Sequence, residues 1–260
     1  MPTNSLGFGA YYPIDSIIHQ LDPRVKIIIT VSLMTLIFTT TQLWTYLLVG
    51  VLLVTISCLG KVMSVCLRRI RSIWLLLVLM MGITILLTPG RPILSTIATY
   101  EGVKVATQMA LRLVLIVTIS SLLTLTTSPF SLTRGIESML TPFRKIGVPV
   151  SEIAMIIQLT LRFIPTFMRE RDKIMKAQAA RGYGLETKSF IEKSKGMMVL
   201  VVPLLASSFR RVDELAGSMD ARCYVVGARR SNLREMKLRQ RDYWTLFIIA
   251  IFVTSMIIFR

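Results

Sequence analysis

The sequence is poor in the residues that build metal and redox sites. It has a single histidine, His19, and three cysteines, Cys58, Cys66 and Cys223, with no CxxC spacing. An odd number of widely separated cysteines indicates neither a disulfide framework nor a zinc site. We therefore expect three free thiols, no bound metal and no other cofactor.

Motifs of several enzyme classes are also missing. The sequence contains no GxxxxGK[ST] phosphate loop, so we expect that the chain does not itself bind ATP. It has no cluster of acids, and a helix start explains the pairing of His19 with Asp22 better than a catalytic dyad does. The first 16 residues lack the basic and apolar regions of a signal peptide, so the first apolar run is expected to remain as an anchor.

Acidic residues are few, with 14 Asp and Glu against 31 Lys and Arg, for a net charge of +17. Such a balance is also found in nucleic-acid-binding proteins. Here, however, the charges alternate with long apolar runs, and 53% of the residues are hydrophobic. A basic membrane protein is the ordinary result of the positive-inside bias. We therefore expect an all-α polytopic membrane protein with no nucleic-acid partner.

Five apolar runs approach the length of about 20 residues that a membrane-spanning helix needs. The fourth carries Lys104 and Arg112 near its start, and the fifth begins with Tyr243 and Trp244, which suit a membrane interface. The predicted spans are Val25 to Thr40, Leu43 to Leu59, Ile73 to Leu87, Val103 to Thr127 and Tyr243 to Phe259.

The start of the first span has a clear helix signal. Asp22 can cap the free backbone amides, and Pro23 suits the first helical turn. Arg24 and Lys26 follow, and we expect both side chains to extend to the lipid headgroups.

Charge predicts the orientation. Residues 61–71 hold Lys61, Arg68, Arg69 and Arg71 and no acid, whereas the opposite side offers an uncharged turn at 39–42 and Arg91. The positive-inside rule then places 61–71, the N-terminus and residues 128–241 in the cytoplasm, with Arg260 outside. The predicted domains are a membrane domain of four spans (1–127), a cytoplasmic domain (128–241) and a C-terminal transmembrane helix (242–260).

The predicted cytoplasmic domain has helical periodicity. Apolar residues recur at three- and four-residue spacing from Ile153 to Met168, which predicts a long amphipathic helix over 151–181 that Pro165 bends. A ten-residue apolar run, 197–206, is too short to span and continues into a second amphipathic helix with a kink at Pro203. The methionines of these helices (Met155, Met175, Met197 and Met198) suit either exchangeable partners or packing between the two helices.

The two predicted helices end alike. The first ends Ala180-Arg181-Gly182-Tyr183 and the second ends Ala221-Arg222-Cys223-Tyr224. An arginine in the last turn interacts favourably with the negative end of the helix dipole, and a glycine in the next position can end the helix in the left-handed conformation. A small alanine lets a partner approach closely, and the guanidinium offers five donors to carboxylate or carbonyl groups. A solvated arginine at an ordinary helix end is the alternative for either tip alone.

Four ordered segments resemble the transmembrane coupling subunit, or T component, of energy-coupling factor importers. They are His19 to Lys26, Leu159 to Phe167, Lys176 to Gly184 and Ser208 to Tyr224. The resemblance covers nearly the whole chain. It implies a non-catalytic subunit of an ATP-driven transporter for vitamins or other micronutrients in a prokaryotic cell membrane.

The resemblance also implies partners and sites. Two cytoplasmic ATP-binding-cassette subunits would bind ATP and receive the tips Ala180-Arg181-Gly182 and Ala221-Arg222-Cys223. A separate substrate-binding membrane subunit, the S component, would contact the long helices. The second tip departs from the family by carrying Cys223 in place of glycine, and cysteine incurs a left-handed penalty that glycine avoids.

Two other functions can be weighed against this one. A self-contained carrier or channel usually carries ionisable groups inside the membrane, for which Arg112 is the main candidate. A lipid-binding scaffold is a further alternative, because Arg68 to Arg71 would attract anionic lipid headgroups. We expect that attraction to membrane lipids as an anchoring aid.

Overall fold

The computed structural model describes residues 16, 18–89, 99–181, 190–227 and 238–258. Within these ranges the chain forms nine α-helices and one 3₁₀ helix. In chain order the α-helices are α1 (Pro23–Thr39), α2 (Leu43–Leu59), α3 (Met63–Ser72), α4 (Trp74–Leu87), α5 (Tyr100–Thr126), α6 (Pro129–Leu140), α7 (Val150–Ala180), α8 (Phe190–Asp220) and α9 (Gln240–Ile258), and the 3₁₀ helix is Thr141–Ile146.

The all-α prediction is confirmed, and each of the five predicted spans is a helix (α1, α2, α4, α5 and α9). By length and composition, three helices of the described residues can cross a membrane: α5, α7 and α9. The pair α3 and α4 also qualifies, with a bend of 49° between them, whereas α2 is apolar but shorter. Because α7 passes this test through its apolar first half, its placement in the cytoplasm stays a prediction.

The chain divides into two compact units. The first unit comprises Met1–Met139 and Arg234–Arg260, and the second comprises Leu140–Leu233. The predicted domain limits near residues 128 and 241 were drawn from membrane crossing. The division into two units reflects how the chain packs and not where it crosses a membrane, so the predicted domain limits stay a prediction.

Helix α5 lies at the centre of the first unit and packs against α1, α2, α3 and α4. Its apolar face meets buried side chains of its neighbours and part of α9. The buried cluster includes Leu33, Leu36, Ile37, Tyr46, Val49, Leu53, Cys66, Leu115, Ile119, Leu122 and Leu125. Since lipid tails are as apolar as these side chains, helix association here depends on close packing and on polar contacts.

Residues 61–71 differ from the simple basic loop that the sequence suggests. Most of this stretch is α3, an amphipathic helix that buries Cys66 and leaves Arg68 and Arg71 exposed. A helix of only ten residues, with arginines beside its five apolar positions, has the charge of a basic loop, and its packing against α5 identifies it.

The start of α1 is capped as predicted but its lysine lies elsewhere. The Asp22 carboxylate accepts a hydrogen bond from the Arg24 N–H at 2.9 Å. Lys26 is buried, and its Nζ donates to the Thr126 carbonyl at 2.8 Å and to the His19 carbonyl at 3.3 Å. The expectation that Lys26 reaches the headgroups is therefore wrong, because the Thr126 carbonyl at the end of α5 and the His19 carbonyl already bind its ammonium group.

Asp242 completes this junction from the far end of the sequence. Its carboxylate accepts from the Asp22 N–H at 3.1 Å and from the Arg239 N–H at 2.8 Å, and its side chain is buried. The start of α9 is thereby attached to the start of α1.

The second unit contains the two longest helices of the described chain, α7 and α8, which pack against each other. At 31 residues each, they are about 46 Å long. Both continue through an internal proline, Pro165 in α7 and Pro203 in α8. The predicted bends at these prolines stay predictions.

Candidate functional site

The first predicted tip lies at the end of α7. Ala180 is the last helical residue, and Arg181 follows with φ −84° and ψ 11°. The Arg181 N–H donates to the carbonyls of Gln178 at 3.1 Å and Ala177 at 3.3 Å, so its backbone still belongs to the last turn. Gly182, the third residue of the predicted tip, lies outside the described residues.

The second predicted tip closes α8 with a left-handed residue. Cys223 has φ +56°, in the region that favours glycine. The Cys223 N–H donates to the Asp220 carbonyl at 2.9 Å, and the Tyr224 N–H donates to the Met219 carbonyl at 3.0 Å. These two bonds form a Schellman motif, in which the residue before the left-handed position is Arg222. The cysteine therefore adopts a cap geometry that favours glycine.

Both tips present their arginines to solvent. Ala180, Arg181, Ala221, Arg222 and Cys223 are all exposed. Among the described residues, neither arginine side chain makes an ion pair or a hydrogen bond. Each guanidinium thus lies near the negative end of a helix dipole with its donors free for a partner. The role of these residues in binding a partner stays a prediction.

The structure adds a contact between α7 and α8 that the sequence analysis did not single out. The Arg211 Nη2 atom lies 3.0 Å from the Glu170 Oε2 atom, and both side chains are partly buried. Their sequence separation of 41 residues equals that of the two tip arginines. That shared spacing is the signal that would have found them.

The segment after the second tip is attached to the 3₁₀ helix. Arg144 Nη2 donates to the Gly227 carbonyl at 3.3 Å, and Gly227 has φ +80°. Val225 and Val226 between the tip and this contact are 63% and 74% exposed. The second tip is therefore followed by an apolar surface as well as a fixed turn.

The long helices also expose apolar side chains along their length. Met175 and Met198 are exposed, which favours contact with a partner or lipid over packing between the two helices. Met155 is half-buried, and the side chain of Met197 lies outside the described residues. Further exposed apolar residues are Ile153, Ile156, Ile157, Val202, Leu205, Phe209 and Val212.

Arg112, the candidate for a polar membrane path, has partners inside the first unit. Its Nη2 atom donates to the Tyr46 hydroxyl at 3.0 Å and to the Thr40 carbonyl at 3.3 Å. The Tyr46 hydroxyl itself donates to the Thr40 carbonyl at 2.6 Å. Since Thr40 is the C-cap of α1, Arg112 binds the carboxyl end of that helix, and this contact favours a structural role over an ion path.

The described residues contain no group of three His, Cys, Asp or Glu side chains that could hold a metal ion. The prediction of three free thiols is confirmed, with Cys66 buried and Cys58 and Cys223 exposed. The expectation that the chain needs no cofactor stays a prediction.

Comparison with known proteins gives a consistent result over nearly the whole chain. Residues 15–232 match the family model CbiQ, described as a cobalt transport protein. The chain is also similar to proteins named energy-coupling factor transporter transmembrane protein EcfT. It is 42% identical to that of Clostridium kluyveri over 97% of this chain and 96% of the relative. It is 41% identical to that of Acidaminococcus fermentans, over 94% and 93% of the two chains.

Proposed function

The chain belongs to the family of transmembrane T components of energy-coupling factor transporters, and from this premise we propose that it couples two cytoplasmic ATPases to a substrate-binding membrane subunit. The chain is an all-α membrane protein of a transport system. In the proposed mechanism it binds neither ATP nor substrate, and no cofactor is required.

The observation that supports coupling is the presence of two exposed arginines at the ends of two long, packed helices. Each arginine offers charge-assisted hydrogen bonds to carboxylates or carbonyls in a groove of one ATPase. If nucleotide binding draws the two ATPases together, the ends of α7 and α8 have to move relative to each other. Because the helices are packed together, that movement is transmitted along both.

The exposed apolar faces of α7 and α8 are the proposed contact for the S component. A surface of adjacent exposed apolar residues on a helix is typical of protein or membrane contact. Met175 and Met198 lie on exposed positions, and flexible methionines adapt to partners of different shape. Movement of α7 and α8 would then reorient the S component in the membrane and release its substrate into the cell.

The proposed orientation places the N-terminus and both tips in the cytoplasm of a prokaryotic cell. Residues 61–71 are strongly basic, which the positive-inside rule associates with the cytoplasmic face. This orientation puts Arg181 and Arg222 on the side where ATP is available.

The test is replacement of each tip arginine in the complex purified with its ATPases and S component. We expect Arg181→Ala and Arg222→Ala each to weaken ATPase binding roughly 10- to 100-fold, since a hydrogen bond to a charged group contributes about 1.5–3 kcal/mol. The double variant should lose both the ATPases and substrate uptake. Co-purification and uptake in liposomes are the measurements.

Arg210→Ala is the matched control, because Arg210 is an exposed arginine of α8 away from the tip. It should leave both measurements unchanged. A double tip variant that retained the ATPases and normal uptake would contradict the proposed function.

A further inference from the structure

The later halves of α7 and α8 share one pattern of exposure under a shift of 41 residues. Residues 169–181 pair with residues 210–222 in this register. Paired positions fall into the same exposure class throughout, except for Arg171 and Val212. The repeat therefore extends from the tips into the packing of the two helices.

The shared half-buried positions lie on one face of each helix. Ile174 and Leu215 form one pair of less exposed residues, and Gln178 and Met219 form the next. Since α7 packs against α8, we attribute the lower exposure of these pairs to that contact, which then uses the same face of each helix at the same register. Two similar helices that contact each other through the same face are related by a local two-fold axis. A residue that lies on this axis contacts the equivalent residue of the other helix.

Glu170 and Arg211 satisfy that condition. They are equivalent under the 41-residue shift, and their side chains touch at 3.0 Å. The local axis therefore passes close to this ion pair. Arg181 lies eleven positions after Glu170, and Arg222 lies eleven positions after Arg211.

We propose that the Glu170–Arg211 pair is the fulcrum of the two coupling helices, a positioning pair that fixes where α7 and α8 cross and sets equal arms to the two arginine tips. Each arm is about 16 Å long. Equal arms give both tips the same displacement for a given change in crossing angle, which suits a subunit driven by two similar motors. This consequence for transport rests on the proposed function.

The chemistry of the pair suits a fulcrum better than a simple stabilising contact. A partly buried ion pair adds little net stability because desolvation offsets its attraction, and such groups are best attested as devices that fix register. Sliding α7 by one turn would set Ile174 against Arg211 and remove the charge from its partner. An ion pair between two flexible side chains still allows the crossing angle to change.

The test measures the distance between the helices in the full chain, in lipid nanodiscs without ATPases. Spin labels are placed at Ala177→Cys and Ser218→Cys, exposed and equivalent positions, in a background with Cys58→Ser and Cys223→Gly. The native pair should give one narrow distance distribution. Glu170→Arg and Arg211→Glu should each broaden or shift it, and the double charge swap should restore it.

Asp172→Asn is the control, since it removes an exposed ion pair of 2.8 Å that lies within α7 alone. It should leave the distance distribution unchanged. The circular dichroism spectrum should be the same for every variant. Single reversals without effect, or a charge swap that failed to restore the distance, would overturn the proposal. Because no ATPase is present, this result is independent of whether the arginine tips bind one.

Glu170→Arg, Arg211→Glu, the double charge swap and Asp172→Asn are then compared in the assembled transporter. Uptake per ATP hydrolysed should fall at least tenfold in both single reversals and recover in the charge swap. Recovery of the distance without recovery of coupling would overturn the transport role of the fulcrum.

Discussion

At the scale of single residues, the second tip carries a strained backbone where the chain leaves the helix. A non-glycine residue in the left-handed region costs about 1–2 kcal/mol, and Cys223 occupies that region. The two backbone hydrogen bonds of the Schellman motif hold it there. The position of Arg222 is thus maintained at the expense of local strain.

Replacing Cys223 by glycine should stabilise the second tip. Glycine removes the left-handed strain but also gives the unfolded chain more freedom. The expected net stabilisation of the tip is about 1 kcal/mol. Amide exchange at residues 223 and 224, followed by mass spectrometry, should slow roughly fivefold. Ala221→Gly is the matched comparison and should speed this exchange, because Ala221 still donates to the Gly217 carbonyl at 3.0 Å in the last helical turn. Unchanged or faster exchange in Cys223→Gly would contradict the strain argument.

Lys26 is a second residue whose position differs from the one that its sequence context predicts. A lysine at the start of a predicted span is expected at the headgroups, yet here it binds carbonyls of residues 19 and 126. The local sequence contains no sign of the second carbonyl, which lies 100 residues away. Charge alone therefore does not tell a lipid anchor from a buried link between helices.

At the scale of helices, glycine decides how closely α4 and α5 approach. A methyl group added to Gly102 of α5 would lie 3.1 Å from the Ile85 carbonyl oxygen and 3.3 Å from its Cα. Gly82 of α4, in contrast, has nothing within 4 Å of the same position. In a bilayer the gain from helix association comes from such close backbone contact.

The two glycines should respond in opposite directions to replacement by alanine. Gly102→Ala should lower stability by about 1–2 kcal/mol, since overpacking against backbone exceeds the gain in helix propensity. Gly82→Ala should raise stability by about 0.5–1 kcal/mol through propensity alone. Both stability changes are measured by thermal unfolding in detergent. Unfolding is monitored by the reaction of a dye with the buried Cys66 thiol, in a Cys58→Ser and Cys223→Gly background. Equal effects at the two sites would contradict the close contact.

At the scale of the whole molecule, charge is distributed unevenly along the chain. Residues 130–241 carry 21 of the 31 basic residues, against ten acids. A translocated segment with this excess would violate the positive-inside bias. The molecule is therefore expected to hold both arginine tips on one side of the membrane, together with residues 61–71.

Labelling of single cysteines tests this topology. In a Cys58→Ser background, exposed Cys223 should react with a membrane-impermeant maleimide in inside-out vesicles and stay unreactive in right-side-out ones, while Cys66 is protected by burial. Gln42→Cys, placed in a Cys58→Ser and Cys223→Ser background, should show the reverse, because the turn at 39–42 is expected outside. Reaction of Cys223 from the outside would exclude contact with cytoplasmic ATPases.

Much of the architecture was predictable because its signals are local. Apolar run length predicted the helices α1, α2, α4, α5 and α9, and Asp22 with Pro23 predicted the start of α1. The helix ends at Ala180 and near Ala221 followed from periodicity and the repeated Ala-Arg motif. Helix α3 escaped prediction, because a short amphipathic helix rich in arginine has the composition of a loop.

By itself, the sequence determined the class of protein, the number of long helices and the residues at their tips, since hydropathy, capping and spacing act within a few turns. Only the tertiary structure decided that Lys26 is buried against the end of α5 and that Glu170 meets Arg211. Burial and pairing depend on which helix faces are brought together in space, and contacts between residues 41 or more positions apart leave no mark on the local pattern that sequence analysis reads.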